Sequence, residues 1–167
     1  MKIGIPKEIH DGEKRVAATP ESVPQIMKLG YTVAVEAGAG ETSHFSDEAY
    51  REAGAEVVAD TRALWAGSDL VMKVRPPEEH PGLGVHEADL LPEGGHLVSF
   101  LWPAQNPELM ERLAARKATV LAMDSVPRIS RAQKIDALSS PANIGGYRAA
   151  VEAANQFGRF LPGQVTP

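Results

Sequence analysis

The chain has 167 residues, of which 43% are hydrophobic and 23% charged, a globular balance that excludes a disordered or fibrous chain and suits one ordinary domain. Seventeen Lys and Arg against twenty-two Asp and Glu leave a net charge of −5, which excludes a general nucleic-acid binder, and the absence of cysteine excludes disulfides, thiolate zinc sites and a cysteine nucleophile. No apolar run approaches the ~20 residues of a membrane span and the start, Met1–Glu8, carries no signal-peptide core, so a cytoplasmic location is expected.

In chain order, short apolar runs predict strands at Lys2–Ile5, Thr32–Glu36, Glu56–Val58, Leu70–Val74, His96–Phe100 and Thr119–Met123. A first helix is predicted over Pro20–Leu29, with Thr19 as its cap, Pro20 at its first position and Gly30 as its stop. Pro24 lies inside that span and is expected to distort the second turn. A second helix follows Ser46 and stops at Gly54, a third covers Thr61–Ala66, and a fourth opens on Asn106-Pro107 and runs to about Arg116. Strand–helix alternation at this spacing implies right-handed crossovers and a mainly parallel sheet with helices on both faces. Leu70-Val71-Met72 and Thr119–Met123 read as unbroken apolar runs, as buried parallel strands do. The fold class expected for residues 1–127 is therefore α/β, a doubly wound, mainly parallel sheet of Rossmann-like or flavodoxin-like type.

The last forty residues differ in character. From Arg128 to Pro167 five basic residues face two acidic ones, a charge of +3 that leaves −8 for residues 1–127. This marks a boundary near Pro127, and either an anionic partner for the tail or a helix with a solvated basic face. Ser140-Pro141 opens a predicted helix reaching about Phe160, with Ile144, Tyr147, Val151 and Ala154 in one stripe. Such a helix is ~27 Å or longer. It runs into Leu161–Pro167, a linker-like composition, so the chain reads as the front part of a larger protein.

Several constellations could carry chemistry. Gly38-Ala39-Gly40-Glu41-Thr42-Ser43 follows a strand and resembles the start of a dinucleotide fingerprint. It lacks the third glycine, and Glu41 would set a carboxylate where a pyrophosphate belongs, so a glycine-rich turn is the better reading. His10, His44, His80, His86 and His96 show no metal-ligand spacing, and no metal is expected. Lys73 lies near the carboxyl end of a central strand, with Arg15 in the loop after the first strand. They either clamp a carboxylate at the ligand crevice, or Lys73 pairs with a local acid such as Asp69. Pro127–Ser140 is the densest polar cluster. Arg128, Gln133, Asp136 and Ser139 there offer the mixed donors and acceptors that a nicotinamide carboxamide needs, or else form a helix cap and a salt-bridged turn.

Arg128-Ile129-Ser130-Arg131-Ala132-Gln133, Asp136–Ser140 and Ala142-Asn143-Ile144-Gly145-Gly146-Tyr147-Arg148-Ala149 resemble the NAD(H)-binding component of proton-translocating NAD(P) transhydrogenases. Ser99-Phe100-Leu101-Trp102-Pro103-Ala104-Gln105-Asn106-Pro107 is similar to the same family, while Ile3–Glu8 and Glu13–Pro20 look like the start that it shares with alanine dehydrogenase. The resemblance implies direct hydride transfer between NADH and NADP⁺, coupled to proton flow through membrane subunits. It implies that Arg128, Gln133 and Asp136, with Ser139, lie beside the nicotinamide, and that Gln133 reaches toward NADP(H) on a partner subunit. Tyr147 matches a tyrosine near the nucleotide, and Gln133 and Asp136 are the residues closest to catalysis. A homodimer attached to the inner membrane through NADP-binding and membrane subunits is implied as well, with no direct membrane insertion.

The chain departs from that pattern in two places. Pro141 stands where the family often has another residue. The glycine fingerprint expected beyond Pro167 is absent, so residues 128–167 are expected to supply one face of a nucleotide site and a helix leading to a missing NAD-binding domain. The chain alone is then expected to be inactive. One alternative is an alanine dehydrogenase holding pyruvate with Arg15 and Lys73. Its acid/base histidine would fall about where Trp102-Pro103 stand, and neither residue transfers a proton at neutral pH. A second alternative is a non-catalytic interaction module that assembles through the long helix.

Overall fold

The computed structural model describes residues 1–159. The chain divides after Ser125 into two compact units. The first contains strands β1 (Lys2–Ile5), β2 (Thr32–Glu36), β3 (Glu56–Val58), β4 (Leu70–Met72), β5 (Glu79–His80), β6 (Val85–His86), β7 (His96–Ser99) and β8 (Thr119–Ala122). Helices α1 (Val23–Lys28), α2 (Asp47–Glu52), α3 (Thr61–Ala66), α4 (Glu87–Leu90) and α5 (Pro107–Ala115) connect them.

Six strands form one parallel sheet in the order β3-β2-β1-β4-β7-β8. Chain order reverses between β1 and β4, and in a doubly wound sheet the crevice at such a reversal is where ligands bind. Side chains alternate across the sheet. Ile3, Ile5, Val33 and Val35 pack with Val23 of α1 and Tyr50 of α2 on one face. Val71 and Leu97 pack with Trp65, Leu91, Leu101 and Leu113 on the other. Tyr50 is fully buried, donates its hydroxyl to the Ala18 carbonyl at 2.8 Å, and is pushed up to about pKa 12 by that burial.

All six predicted strands are present, several shorter by one or two residues. Ser46 and Asp60 cap α2 and α3 through Ala49 N and Ala63 N, and α5 begins at Pro107 as expected. Two features differ. Helix α1 starts at Val23 rather than Pro20, because Thr19–Ser22 close a turn of their own, with Ser22 N donating to Thr19 O at 2.9 Å and Thr19 N to Ser22 Oγ at 2.9 Å. Pro24 therefore sits in the first turn, where its missing N–H has no helical partner to lose, and it distorts nothing. The second difference is an insertion between β4 and β7. There β5 and β6 pair antiparallel and deliver the chain into the single turn of α4.

In the second unit, a 3₁₀ turn at Ser130–Ala132 precedes α6 (Ser139–Gln156). The helix begins two residues earlier than expected, with Pro141 in its first turn. It ends at Gln156 with Phe157 as its C-cap, short of the predicted end near Phe160; residue 160 and the linker-like stretch 161–167 lie outside the described residues. None of its residues is buried, and Ile144 and Tyr147 are 70% and 75% exposed. Among the described residues no helix is long and apolar enough to cross a membrane.

Candidate functional site

The crevice between the carboxyl ends of β1 and β4 is built from the segment after each strand. Glu8 follows β1, and Lys73 and Arg75 follow β4. Lys73 Nζ donates to Glu87 Oε1 and Oε2 at 2.7 and 2.8 Å and lies 3.6 Å from Glu8 Oε2, with all three side chains out of solvent. Glu8 also accepts from Val74 N at 2.6 Å and Arg75 N at 3.2 Å, tying the two strand ends together. Glu87 accepts from Glu78 N at 3.0 Å. Burial raises the Glu87 carboxyl above its ordinary value, and Lys73 opposes that rise.

At the more open end, Glu13 takes Arg15 Nε at 2.8 Å, Arg15 Nη2 at 2.7 Å and Arg75 Nε at 2.7 Å. Its carboxyl is lowered to about pKa 2, chiefly by the Arg15 hydrogen bonds. Three cations (Arg15, Lys73, Arg75) thus meet three carboxylates (Glu8, Glu13, Glu87). The six charges balance, and Lys73, buried between Glu87 and Glu8, has no charge left over for a substrate carboxylate, while Arg15 shares Glu13 with Arg75. Asp69, the local acid considered for Lys73, instead accepts from Lys2 N at 2.7 Å. The true partners come from distant segments, so nothing in the local spacing exposed them. The adjacency of Glu8 and Lys73 becomes legible only once β1 and β4 are known to be neighbours.

The glycine-rich segment after β2 is a turn and not a phosphate cradle. Gly38 has φ +73°, a backbone that glycine adopts freely. Its N–H is spent on Asp47 Oδ1 at 2.8 Å, and the hydroxyls of Thr42 and Ser43 both donate to the Lys14 carbonyl. The histidines act locally. His10 Nδ1 meets Glu78 at 2.6 Å, His86 Nδ1 accepts from Ala88 N at 3.1 Å, and His96 Nδ1 lies 3.0 Å from the Asp69 carbonyl. Among the described residues no cluster of three metal-ligating side chains occurs.

In the second unit, the structure brings Asp136 and Ser139 together at the start of α6. Asp136 Oδ1 accepts from Leu138 N at 3.0 Å and Ser139 N at 3.2 Å, and Oδ2 accepts from the Ser139 hydroxyl at 2.6 Å. The carboxyl is held below its ordinary value by the Ser139 hydroxyl first and by the Arg128 charge as well. Arg128 and Gln133 are exposed on the same loop. Tyr147 stands apart on α6, roughly 12 Å along the axis from Ser139 at ~1.5 Å per residue. Asp136 therefore caps the helix and keeps an ionised carboxylate at the surface. A carboxylate offers about four acceptor positions and three are filled, so one remains for an external N–H donor.

Fold and site define a doubly wound α/β domain whose own charges fill its ligand crevice, joined to a polar loop and a long exposed helix. Residues 4–145 match the family model described as alanine dehydrogenase/PNT, N-terminal domain, and the chain belongs to that family. It is 57% identical over 166 residues to a NAD(P) transhydrogenase subunit alpha of Cereibacter sphaeroides, covering 99% of this chain and 31% of that protein. An alanine dehydrogenase of Bacillus subtilis is more distant, 37% identical over 150 residues, covering 90% of this chain and 37% of its own length. The crystal structure of transhydrogenase from Sinorhizobium meliloti superposes with a TM-score of 0.85 at 38% identity, covering 99% of this chain and 48% of that one. The chain thus spans less than half the length of the relatives it matches.

Proposed function

We propose that this chain supplies the N-terminal, nicotinamide-facing part of the NAD(H)-binding component of an NAD(P) transhydrogenase. The observation that carries the proposal is the loop from Arg128 to Ser139, where an ionised, partly unfilled Asp136 carboxylate stands near Arg128 and beside Ser139. Residues 1–127 act as the supporting domain, and the loop from Arg128 with helix α6 leads to the rest of the nucleotide site.

The residues present fit the nicotinamide end of NAD(H). Asp136 offers an acceptor for the carboxamide NH₂. Arg128 offers donors for the carboxamide oxygen or a phosphate, and Ser139 can serve either role once its hydroxyl turns. Gln133, exposed and free of side-chain hydrogen bonds among the described residues, is placed to reach outward toward NADP(H) on a partner subunit. Tyr147 borders the nucleotide further along α6. No glycine cradle for the pyrophosphate occurs in the chain, so it binds NAD(H) weakly by itself and transfers no hydride alone. When bound, the two nicotinamides supply the redox chemistry, a hydride passing from NADH to NADP⁺. The protein's share is orientation, and a lateral error of ~1 Å there costs about a hundredfold in rate.

Assembly as a homodimer at the cytoplasmic side of the inner membrane, through NADP-binding and proton-translocating membrane subunits, belongs to the same reading. The alanine dehydrogenase alternative is disfavoured because Lys73 is already neutralised by Glu87 and Glu8 and Arg15 is held on Glu13, and because Trp102-Pro103 supply no acid/base. The test is hydride transfer from NADH to an NADP⁺ analogue, using the full-length protein with its NADP-binding partner. Transfer supports the proposal. Alanine-dependent reduction of NAD⁺ in place of it would establish the alternative.

A further inference from the structure

The insertion between β4 and β7 does more than fill space. It delivers Glu87 to Lys73, and it does so through a helix of one turn. Helix α4 spans Glu87–Leu90 and has His86 at its N-cap position, where the imidazole Nδ1 accepts from Ala88 N at 3.1 Å. A one-turn helix has almost no internal hydrogen bonding of its own, so its cap matters more than a cap on a long helix does. Caps are ordinarily Ser, Thr, Asp or Asn, whose oxygens accept at any pH above the carboxylate range. An imidazole accepts only while it is neutral. Once protonated, both ring nitrogens are donors, and Nδ1–H would confront the Ala88 N–H.

Glu87 lies in the chain between the cap residue and the amide that it caps. Its carboxylate is the main counter-charge of the buried Lys73 and also takes Glu78 N. Anything that lets the backbone at Glu87–Ala88 swing therefore acts directly on the ion pair at the crevice. Protons can reach the cap, because His86 lines an open cleft of about 600 Å³ between the insertion and the start of α5.

We propose that His86 is a pH-sensitive latch: neutral, it caps α4 and keeps Glu87 seated on Lys73; protonated, it releases the cap and loosens that buried pair. The charged groups facing His86 are Arg112 of α5, Glu78 and Glu79 of the insertion and Asp89 of α4, with Glu108 of α5 lining the same cleft. Arg112 is engaged by Asp89 at 2.9 Å and Glu79 at 3.8 Å. Burial, and then Arg112, hold the imidazole below its ordinary pKa, while Glu79, Asp89 and Glu78 oppose that shift. The latch is thus closed at pH 7 and opens as the pH falls below the ordinary histidine range.

The inference stands on the His86 cap and the ion pair behind it and is independent of the nicotinamide reading. It is tested by hydrogen–deuterium exchange with mass spectrometry on the full-length protein at pH 7.5 and 5.0, comparing protection factors for the peptide spanning residues 85–91. The parent protein is expected to lose roughly five- to tenfold in protection there, as loss of one cap implies, while peptides covering β1 and β2 stay protected. His86→Asn substitutes a pH-independent acceptor and should show no such fall. His86→Ala should be poorly protected at both pH values. Unchanged protection in the parent protein would overturn the latch. So would an equal fall in His86→Asn, or a loss spread evenly over all peptides.

Discussion

Glu87 grips Lys73 with both carboxylate oxygens, at 2.7 and 2.8 Å, where neither side chain meets solvent. An ion pair so placed adds little net stability over apolar residues of similar size, yet removing one partner leaves a buried charge uncompensated. Lys73→Met should therefore cost about 3–5 kcal/mol, with Glu87 and Glu8 both left unneutralised. Adding Glu87→Leu should recover part of that loss, because Glu8 stays buried without its cation and the stranded Glu78 N–H costs about 1 kcal/mol. Urea unfolding of the parent, the single variant and the double variant measures both. A double variant no more stable than the single one would contradict this account of the network.

Glu13 makes stability depend on acid. Its carboxyl falls from 4.5 to about 2 in the folded protein, so the unfolded chain takes up a proton first as the pH drops. The contribution is complete above about pH 4.5 and disappears as the pH falls toward 2. Glu13→Gln should be less stable than the parent at pH 7, and the gap in urea midpoints should narrow steadily below pH 4.5. A gap of constant size down to pH 3 would show that the Arg15 and Arg75 contacts do not depend on the charge of Glu13.

Gly4 lies in β1 where that strand passes closest to Ser68. A Cβ at position 4 would overlap Ser68 Oγ and come within 2.8 Å of Ser68 Cβ. Ser68 cannot turn aside cheaply, because its hydroxyl donates to the Leu64 carbonyl at 2.6 Å in a buried site. Gly4→Ala should cost about 1–3 kcal/mol or more, the range for an overpacked core. Gly4→Ala combined with Ser68→Gly should cost less than the two single changes added together. Additive losses in a double-mutant cycle would mean that the strand shifts rather than collides.

The strands were legible because buried parallel strands announce themselves as apolar runs, and the start of α2 because Ser46 offers a side-chain oxygen just before the helix. The β5–β6 pair and α4 were not. Strands of two residues are too short to alternate, and His86 is an unusual cap. Pro24 reads as a distortion only for a helix that starts at Pro20; the Thr19 and Ser22 hydroxyls instead accept from each other's backbone N–H groups and close a turn first. The residues of the polar loop could be singled out from composition. Which of them bond to one another could not, since Asp136 and Ser139 meet only when the chain turns into α6.

Gln133 and Asp136 should prove separable. Asp136→Asn keeps an acceptor for the Leu138 and Ser139 amides but removes the charge offered to a carboxamide, so NADH binding by the full-length protein should weaken severalfold. Gln133→Asn keeps the amide and shortens its reach by one methylene. NADH affinity should then hold while single-turnover hydride transfer slows, by up to about a hundredfold if the misplacement is ~1 Å. If both variants lose binding and rate in parallel with a falling melting temperature, the loop serves α6 and not the nucleotide.

Glu8 has a consequence for the making of the protein. Its carboxylate joins β1 to an amide sixty-six residues later in the chain, and β1 itself is a central strand flanked by β2 and β4. During synthesis at roughly 5–20 residues per second, the first strand waits some 3–13 s after emerging before Val74 follows it. Throughout that interval one hydrogen-bonding edge of β1 is open, and Glu8 has no amide to accept from. One of the two middle strands of the sheet thus stays open along one edge until its neighbour is made, and the acid directly behind it keeps a charge beside that edge meanwhile.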